Sequence, residues 1–260
     1  MLKIVVCVRQ ILDPETPAKS FKIDPVTQRA VPPAGSEPVT SDYDENAVEA
    51  ALQIKDTLGA NVTILSLGPA SAKTTVRRCI AMGADAGVLV SDPAFDDADS
   101  YATAFALSEA IKKIGKYDLV LCGRQEGDWD AGQVGSGIAE LLGIPSITMV
   151  AGFSVDDAIA KVRRVVPDGR ELVEVPLPAV MTVSSEIGEP RYPSVRRIRQ
   201  AFAVEVPTWT SEDVAFAESL NKMVSLEVPK HEVECKFIDG ETPEEKGEQL
   251  ALALRDAKVL

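Results

Sequence analysis

A polar loop between an apolar strand and a helix carries the side chains of this chain that are best suited to bind a ligand. The apolar run 119–122 ends at Gly123, a loop rich in Gly and Asp follows, and residues 139–142 carry a helical pattern. Unpaired N–H groups at the start of a helix lie at the positive end of its dipole, so this junction suits a phosphate. Arg124 can add a charge-assisted contact. Four further polar side chains are available to a ribose or a base edge: Gln125, Asp128, Asp130 and Gln133. The pattern predicts a nucleotide site.

An ordinary crossover turn is the competing interpretation of the same loop. Every strand-to-helix connection needs a turn, and Gly and Asp are the usual turn-forming residues. The loop matches neither the phosphate-binding pattern G-x-x-x-x-G-K-[ST] nor the dinucleotide pattern G-x-G-x-x-G. Spacing alone therefore leaves both interpretations open.

Composition narrows the class of protein. With 260 residues, of which 45% are hydrophobic, the chain can bury a substantial core. No apolar run approaches the roughly 20 residues of a membrane span, and residues 1–8 are shorter than a signal peptide, so we expect no membrane insertion and a cytoplasmic location. A net charge of -13 argues against nucleic acid as a partner, because such binding needs a basic surface.

Cysteine and histidine usage argues against most catalytic and metal sites. The four cysteines are scattered without a C-x-x-C motif, so neither a disulfide framework nor a zinc site is indicated. His231 is the only histidine and is distant in sequence from the loop, which disfavours catalytic triads and histidine-ligated metals. We expect no catalytic residue and no metal ion.

Alternating strands and helices position the loop. They predict an α/β fold with a doubly wound, mainly parallel, Rossmann-like sheet over residues 1–150. The expected strands are 2–8, 61–67, 87–90, 119–122 and 147–150, and the expected helices are 45–58, 72–82 and 100–114. Ligands of such sheets bind at the carboxyl ends of strands, so the segments 8–10, 67–69 and 122–124 are expected to meet at one crevice. Ser41 and Asp44 precede the first helix and have a simpler alternative role as a capping box.

The second half of the chain has a different pattern. Residues 160–166 and 172–175 flank a turn and predict a hairpin, and residues 179–183 predict a buried strand. The segment 184–200 is then read as an irregular loop with four arginines, Arg191, Arg196, Arg197 and Arg199, in an otherwise acidic chain. It is either an ordinary solvated loop or a docking surface for an acidic partner.

Two more helices are expected near the C-terminus. One is predicted near residues 211–223, and the other follows Thr242 and Pro243 in a capping-box sequence. The polar connection between them is typical of an arm that lies on a partner. We therefore divide the chain into a nucleotide-binding domain at 1–200, which includes the hairpin and the basic loop, and a C-terminal helical arm at 201–260.

Taken together, these residues resemble the β-subunit of electron-transfer flavoproteins over nearly the whole chain. The resemblance is carried by the opening V-V-C-V-R-Q, the run D-x-x-A-V-E-A-A-L-Q-I-K, the pair L-S-L-G-P-A and A-M-G-A-D, and the loop G-R-Q-x-x-D-x-D-x-x-Q-V-G. The loop is the most specific of these. The hairpin V-R-R-V-V-P-D-G-R-E-L-V-E-V-P-L-P-A-V-M-T resembles the family signature, although Pro167 stands where an acidic residue is usual.

The resemblance implies an electron carrier subunit rather than an enzyme. Its partner would be an α-subunit with the redox-active FAD, which passes electrons from acyl-CoA-type dehydrogenases toward a quinone-linked acceptor. This chain would be the scaffold and would hold AMP as a structural ligand, with the adenine between Cys7 and Leu67 and the phosphate on the turn 130–134. The positions that match the family's cofactor-binding residues are Cys7, Ser41, Asp42, Tyr43, Asp44, Leu67, Gly123, Arg124, Gln125, Asp128, Trp129, Asp130, Ala131, Gly132, Gln133 and Val134. Tyr43 is also expected to approach the flavin of the α-subunit.

An electron-bifurcating branch of the family offers an alternative, in which a second FAD occupies the AMP site and NADH is oxidised. The residues 132–135 are closer to the bifurcating pattern, whereas Ser136 and the bulky Trp129 depart from it. Trp129 is a candidate platform for a flavin ring or a cap over the crevice. AMP is the preferred expectation.

The basic loop matches the segment with which this family recognises dehydrogenases. Val195 takes the place of the apolar residue that enters a pocket of the partner. The residues expected to bind the partner with it are Arg191, Tyr192, Arg196, Arg197 and Arg199.

Two classes outside this family explain less of the chain. A stand-alone adenine-nucleotide-binding domain accounts for residues 1–150 but not for the hairpin, the basic loop or the arm. An ATP-pyrophosphate enzyme needs a motif such as S-G-G-x-D after the first strand, and residues 8–11 supply none.

Overall fold

The structure is a computed structural model that describes residues 1–17, 20–228 and 235–259. His231 lies outside the described residues. The chain divides into two compact units, Met1–Leu226 and Glu227–Leu260. The functional division at residue 200 stays a prediction.

One nine-stranded sheet forms the first unit, and it confirms the predicted α/β fold. In spatial order the strands are β11 (Gly169–Pro176), β10 (Ile159–Val166), β9 (Ser146–Asp156), β12 (Ala179–Val183), β8 (Leu119–Gly123), β1 (Leu2–Val8), β6 (Ala60–Leu67), β7 (Ala86–Val90) and β13 (Thr208–Trp209). From β9 to β13 in this spatial order, each strand pairs in parallel with the next one. The pairs β9–β10 and β10–β11 are antiparallel. The predicted hairpin is therefore confirmed as an extension of the sheet.

Helices cover both faces of the sheet. They are α1 (Asp42–Leu58), α2 (Lys73–Met82), α3 (Ser100–Ile114), α4 (Val134–Leu142) and α5 (Val195–Phe202). Alternate side chains of β1 enter two separate cores, because successive residues of a strand point to opposite faces. Ile4, Val6 and Val8 pack with α1 and α2, whereas Val5 and Cys7 pack with α3 and α4. This is the doubly wound arrangement that the sequence predicts.

Two small antiparallel ribbons stand outside the main sheet. In the first, β2 (Gln10–Ile11) pairs with β5 (Val39–Thr40). In the second, β3 (Lys22–Ile23) pairs with β4 (Ala30–Val31). The first ribbon joins the end of β1 to the start of α1 and so helps to fix both at one edge of the crevice.

The segment 184–200 is not wholly irregular, which corrects the sequence interpretation. Helix α5 begins after Ser194, whose Oγ accepts a hydrogen bond from the N–H of Arg197 at 3.3 Å. Serine is a favoured N-cap, and arginine has a high helix propensity, so the basic residues that looked like a loop form a short helix.

The prediction of a helix near residues 211–223 is wrong. These residues form turns and extended chain, because carboxylates of other segments capture their backbone amides. Asp92 accepts the N–H of Ser211 at 3.2 Å, and Asp99 accepts those of Leu220 and Asn221 at 2.8 and 2.9 Å. Tertiary hydrogen bonds thus override the local helical composition.

The second unit contains one helix, α6 (Pro243–Asp256), among its described residues. The predicted capping box is confirmed: Thr242 Oγ1 accepts the N–H of Glu245 at 3.2 Å, and the Glu245 carboxylate accepts the N–H of Thr242 at 3.4 Å. No side chain of α6 is buried. No helix in the described part of the chain is long and apolar enough to cross a membrane.

Candidate functional site

A cavity of about 250 Å³ opens where β1, β6 and β8 end. Its wall includes the predicted segments at the ends of all three strands, so their convergence is confirmed. The predicted site residues that line it are Cys7, Asp44, Leu67, Gly123, Arg124, Gln125, Gly132 and Val134. The remaining predicted residues lie outside the wall: Ser41, Asp42, Tyr43, Asp128, Trp129, Asp130, Ala131 and Gln133. The structure thus brings together half of the predicted set.

Asp44 connects two of the converging strand ends. Its carboxylate accepts the backbone N–H of Arg9 at 2.8 Å, just after β1, and that of Gly123 at 3.0 Å, at the end of β8. A Cβ atom at Gly123 would lie 2.6 Å from Asp44 Oδ1, which explains the need for glycine there. Burial raises the pKa of Asp44 to about 7, against the opposing effect of the two N–H groups.

The capping-box role considered for Ser41 and Asp44 is therefore wrong. Ser41 occupies the N-cap position of α1, but its side chain makes no capping hydrogen bond. Ser41 Oγ instead accepts the N–H of Gly127 at 3.3 Å, and Asp44 is committed to the strand ends. Both side chains hold the crevice together and do not terminate the helix.

Cys7 and Cys122 form part of the cavity wall from neighbouring strands. Both are buried. Hydrogen bonding to Cys7 and burial raise the pKa of the Cys122 thiol well above its usual range. With Leu67 they give the cavity an apolar surface suited to a planar ring.

Arg124, another residue of the cavity wall, is held in place by an aromatic contact. Its guanidinium lies 4.5 Å from the ring centroid of Tyr43, and its Nη2 donates to the Tyr43 hydroxyl at 2.8 Å. Arg124 Nε is buried and has no hydrogen-bond partner in the described part of the chain. Because a buried donor without a partner costs free energy, this atom favours a bound acceptor.

Several polar side chains of the loop already have hydrogen-bond partners within the molecule. Gln125 Nε2 donates to Asp130 Oδ1 at 2.7 Å, and Arg9 Nη2 donates to Asp128 Oδ2 at 3.0 Å. Trp129 is 53% exposed and does not line the cavity, so in this structure it is neither a platform within the cavity nor part of its wall.

Sequence reasoning missed several residues of the cavity wall, among them Glu126 and Arg29. Glu126 occupies one of the variable positions of the loop motif, and its Oε2 accepts the N–H of Gly132 at 3.1 Å. Arg29 reaches the wall from the turn between β3 and β4, where its Nη2 donates to the Asp96 carbonyl at 3.0 Å. Their charge was visible in the sequence, but their position depends on loop conformations that no periodicity predicts.

The predicted partner-binding residues lie in and just before α5, and they divide into two groups. Val195 and Tyr192 are 68% and 90% exposed, and Arg196 and Arg199 are exposed beside them. Arg191 and Arg197 instead bind groups within the molecule.

Arg191 and Arg197 fix α5 to the helices beneath it. Arg191 donates through Nε and Nη2 to Glu49 at 2.8 and 2.9 Å and also pairs with Asp56 at 2.8 Å. The carboxylates raise its pKa further above the usual range, with Glu49 the main cause. Arg197 Nη1 donates to the carbonyl of Met82, at the end of α2, at 2.9 Å. Arg191 is half-buried, whereas Arg197 is exposed and anchors α5 through this hydrogen bond.

Comparison with known proteins identifies the family. The electron transfer flavoprotein domain matches residues 34–214. Over 213 residues the chain is 44% identical to electron transfer flavoprotein subunit beta of Clostridium acetobutylicum, covering 82% of this chain and 80% of that protein. It is 42% identical over 217 residues to the caffeyl-CoA reductase-Etf complex subunit CarD of Acetobacterium woodii, covering 83% and 81%.

A third relative is more distant. Protein FixA of Azorhizobium caulinodans is 34% identical over 228 residues, covering 85% of this chain and 79% of that protein. The matched region includes the cavity loop, the hairpin and α5, which extends well beyond a stand-alone nucleotide-binding domain of residues 1–150. The resemblance inferred from the sequence motifs is thereby confirmed, and the chain belongs to the electron transfer flavoprotein β-subunit family.

Proposed function

We propose that this chain works as the scaffold of a heterodimeric electron carrier. An α-subunit would carry the redox-active FAD, and this chain would hold AMP, dock an acyl-CoA-type dehydrogenase and allow electrons to pass toward a quinone-linked acceptor. The observation that carries the AMP proposal is the cavity at the ends of β1, β6 and β8. Nucleotides bind at this edge of doubly wound sheets.

The chemistry of the cavity wall fits an adenine nucleotide. Cys7 and Leu67 present apolar surface to a base, and Arg124 Nε offers a buried donor without a partner among the described residues. The first turn of α4, which begins at Val134, supplies further backbone N–H donors beside the cavity. A volume of about 250 Å³ lies below the range of about 300–1,000 Å³ typical of ligand pockets, which favours a mononucleotide over a dinucleotide.

A second FAD is the alternative occupant. The motif residues 132–135 favour it, because they are closer to the pattern of the bifurcating branch. Arg9 and Arg29 in the cavity wall could bind a pyrophosphate if it displaced their present partners, Asp128 and Asp97. In that case the heterodimer would oxidise NADH and would be an enzyme rather than a simple carrier.

The exposed face of α5 supports the docking role. Val195 and Tyr192 offer apolar contacts, and Arg196 and Arg199 offer charge that would steer an acidic partner. Two relatives are named for acyl-CoA-type reductases, the CarD subunit above and the acryloyl-CoA reductase electron transfer subunit gamma of Anaerotignum propionicum, which is 37% identical. These names favour a partner that acts on acyl-CoA compounds, although a reductase would receive electrons from the carrier and a dehydrogenase would donate them.

Counting the released nucleotides tests the proposal. The chain is co-purified with its α-subunit, the complex is denatured, and FAD and AMP are quantified per heterodimer. One FAD with one AMP is the expected result. Two FAD without AMP would establish the bifurcating alternative, and the absence of any adenine nucleotide beyond the FAD of the α-subunit would overturn the assignment of the cavity.

A further inference from the structure

Glu126 places a negative charge at the part of the cavity where a phosphate is proposed to bind. Its side chain lines the cavity, and its Oε2 accepts the N–H of Gly132 at 3.1 Å. Its backbone carbonyl accepts the N–H of Asp130 at 3.0 Å, which fixes the start of this turn. Gly132 has a φ of 62°, so its N–H direction is set by a backbone conformation that favours glycine. The carboxylate thus occupies a donor that would otherwise face an anion.

The negative charge of Glu126 also affects the pKa of Asp44. Burial is the main cause of the raised pKa of Asp44, and the negative charge of Glu126 raises it further. Arg9 opposes this effect, but its guanidinium is already paired with Asp128 at 3.0 Å. An incoming phosphate would therefore meet the carboxylate of Glu126 before it reached the N–H of Gly132.

We propose that Glu126 is a specificity-determining residue, which selects among adenine nucleotides by the charge of the phosphate at this turn. This inference rests on the proposed nucleotide site. A terminal phosphate monoester carries nearly two negative charges at neutral pH, whereas a phosphodiester carries one. Since repulsion from one carboxylate scales with the ligand charge, Glu126 penalises the terminal phosphate of AMP about twice as strongly, in free energy, as the linked phosphate of a dinucleotide. The carboxylate therefore weakens the binding of AMP, which stays the expected occupant, and narrows its advantage over a second FAD.

Three ligands that share adenosine but differ in charge test the inference. Adenosine, AMP and the 5′-methyl ester of AMP are titrated at pH 8 into the nucleotide-stripped heterodimer, with wild-type chain and with Glu126→Gln. The amide keeps an oxygen that can accept the Gly132 N–H, so the turn should be preserved. We expect Glu126→Gln to tighten AMP binding about tenfold and methyl-ester binding about threefold, and to leave adenosine binding unchanged.

A matched variant controls for the overall change in charge. Glu140 is exposed on α4 and does not line the cavity, so Glu140→Gln should leave all three affinities unchanged. Equal tightening of all three ligands, or no change on Glu126→Gln, would overturn the role of Glu126 while leaving the site in place. Failure of wild-type heterodimer to bind any of the three would overturn the nucleotide site and this inference with it.

Discussion

Asp44 is the residue on which the shape of the crevice most depends. It is buried, yet its carboxylate accepts the backbone N–H groups of Arg9 and Gly123, at the ends of β1 and β8. Its pKa of about 7 in the folded protein lies above the usual value of 3.8 for an aspartate. A group with a raised folded pKa binds protons more tightly when folded, so its contribution to stability is complete below about pH 4 and is lost as the pH rises through 7.

The first prediction concerns the pH dependence of stability. In the wild-type protein, titration of Asp44 should lower the free energy of unfolding between about pH 4 and 7, by up to ~1.4 kcal/mol per pH unit. Asp44→Asn removes the titrating group, so this fall should be smaller in the variant. Urea denaturation at four pH values measures this. Asp157→Asn, in the exposed turn between β9 and β10, is the charge-matched control and should keep the wild-type slope. An unchanged slope in Asp44→Asn would contradict the assignment.

The second prediction concerns Val195. Val195→Asp places a carboxylate where an apolar side chain is proposed to enter a pocket of the dehydrogenase, and an unpaired buried charge is strongly unfavourable. Electron acceptance from the dehydrogenase should be abolished, while flavin content and unfolding midpoint stay at wild-type values. Stopped-flow reduction of the heterodimer measures the rate.

Val26 offers the matched control for that variant. It is 88% exposed in the turn between β3 and β4, so Val26→Asp makes the same chemical change elsewhere. Reduction kinetics of Val195→Asp that matched those of Val26→Asp would rule out the docking role of Val195.

At the scale of elements, the arginines in and just before α5 divide between an observed structural role and a proposed docking role. Arg191 and Arg197 bind carboxylates and a carbonyl of α1 and α2, while Arg196 and Arg199 face solvent. Glu49, the main partner of Arg191, has a side chain only 7% exposed. Anchoring and steering are therefore separable by substitution.

The third prediction separates these tasks. Arg191→Gln leaves the nearly buried Glu49 carboxylate without its main partner and should lower the unfolding free energy by about 2 kcal/mol. Arg199→Gln should leave stability unchanged but reduce the salt dependence of association with the dehydrogenase, because exposed charges act mainly on encounter. Thermal unfolding tests Arg191→Gln, and the KM of the dehydrogenase for the heterodimer, measured at several ionic strengths, tests Arg199→Gln. Wild-type stability of Arg191→Gln would contradict the anchoring role.

The sequence predicted elements well where local pattern and tertiary packing agree. Helix α3 (Ser100–Ile114) and strand β12 (Ala179–Val183) have the predicted bounds, since each carries an apolar pattern and clear end signals. Residues 211–223 have a helical composition, but Asp92 and Asp99 bind their amides, and no local pattern reveals those partners.

The same distinction applies to the cavity. Its location followed from topology alone, because parallel strands end at one edge of a sheet. The side chains that line it did not follow, since the loop after Gly123 pairs Gln125 with Asp130 and Glu126 with Gly132. Motif matching selected that loop as a whole, and only its folded conformation distinguishes wall residues from outward ones.

At the scale of the whole molecule, the described part of the second unit contains one helix, α6. Apolar residues of α6 and of the chain before it are exposed, among them Leu250, Leu252 and Phe237. An exposed apolar helix of this kind is typical of a segment that binds another chain.

The fourth prediction is that removal of residues 227–260 weakens the heterodimer and leaves the first unit folded. Since α6 buries no side chain, the truncated chain should keep its unfolding midpoint within a few degrees. Sedimentation with the α-subunit measures association, and circular dichroism measures unfolding. A large loss of midpoint, with the heterodimer intact, would contradict the proposed role of the arm.

Strand β12 also has a consequence for how the chain is made. It lies between β8 and β9, although it follows both of them in sequence. During synthesis β8 and β9 therefore emerge with open edges, and they stay open until residue 183 has left the ribosome. Open strand edges promote aggregation, and non-local strand pairing is slow. Nascent chains that stall between the hairpin and β12 are the ones expected to need a chaperone, since β12 joins β8 to β9 by insertion into the interior of the sheet and not by addition at its border.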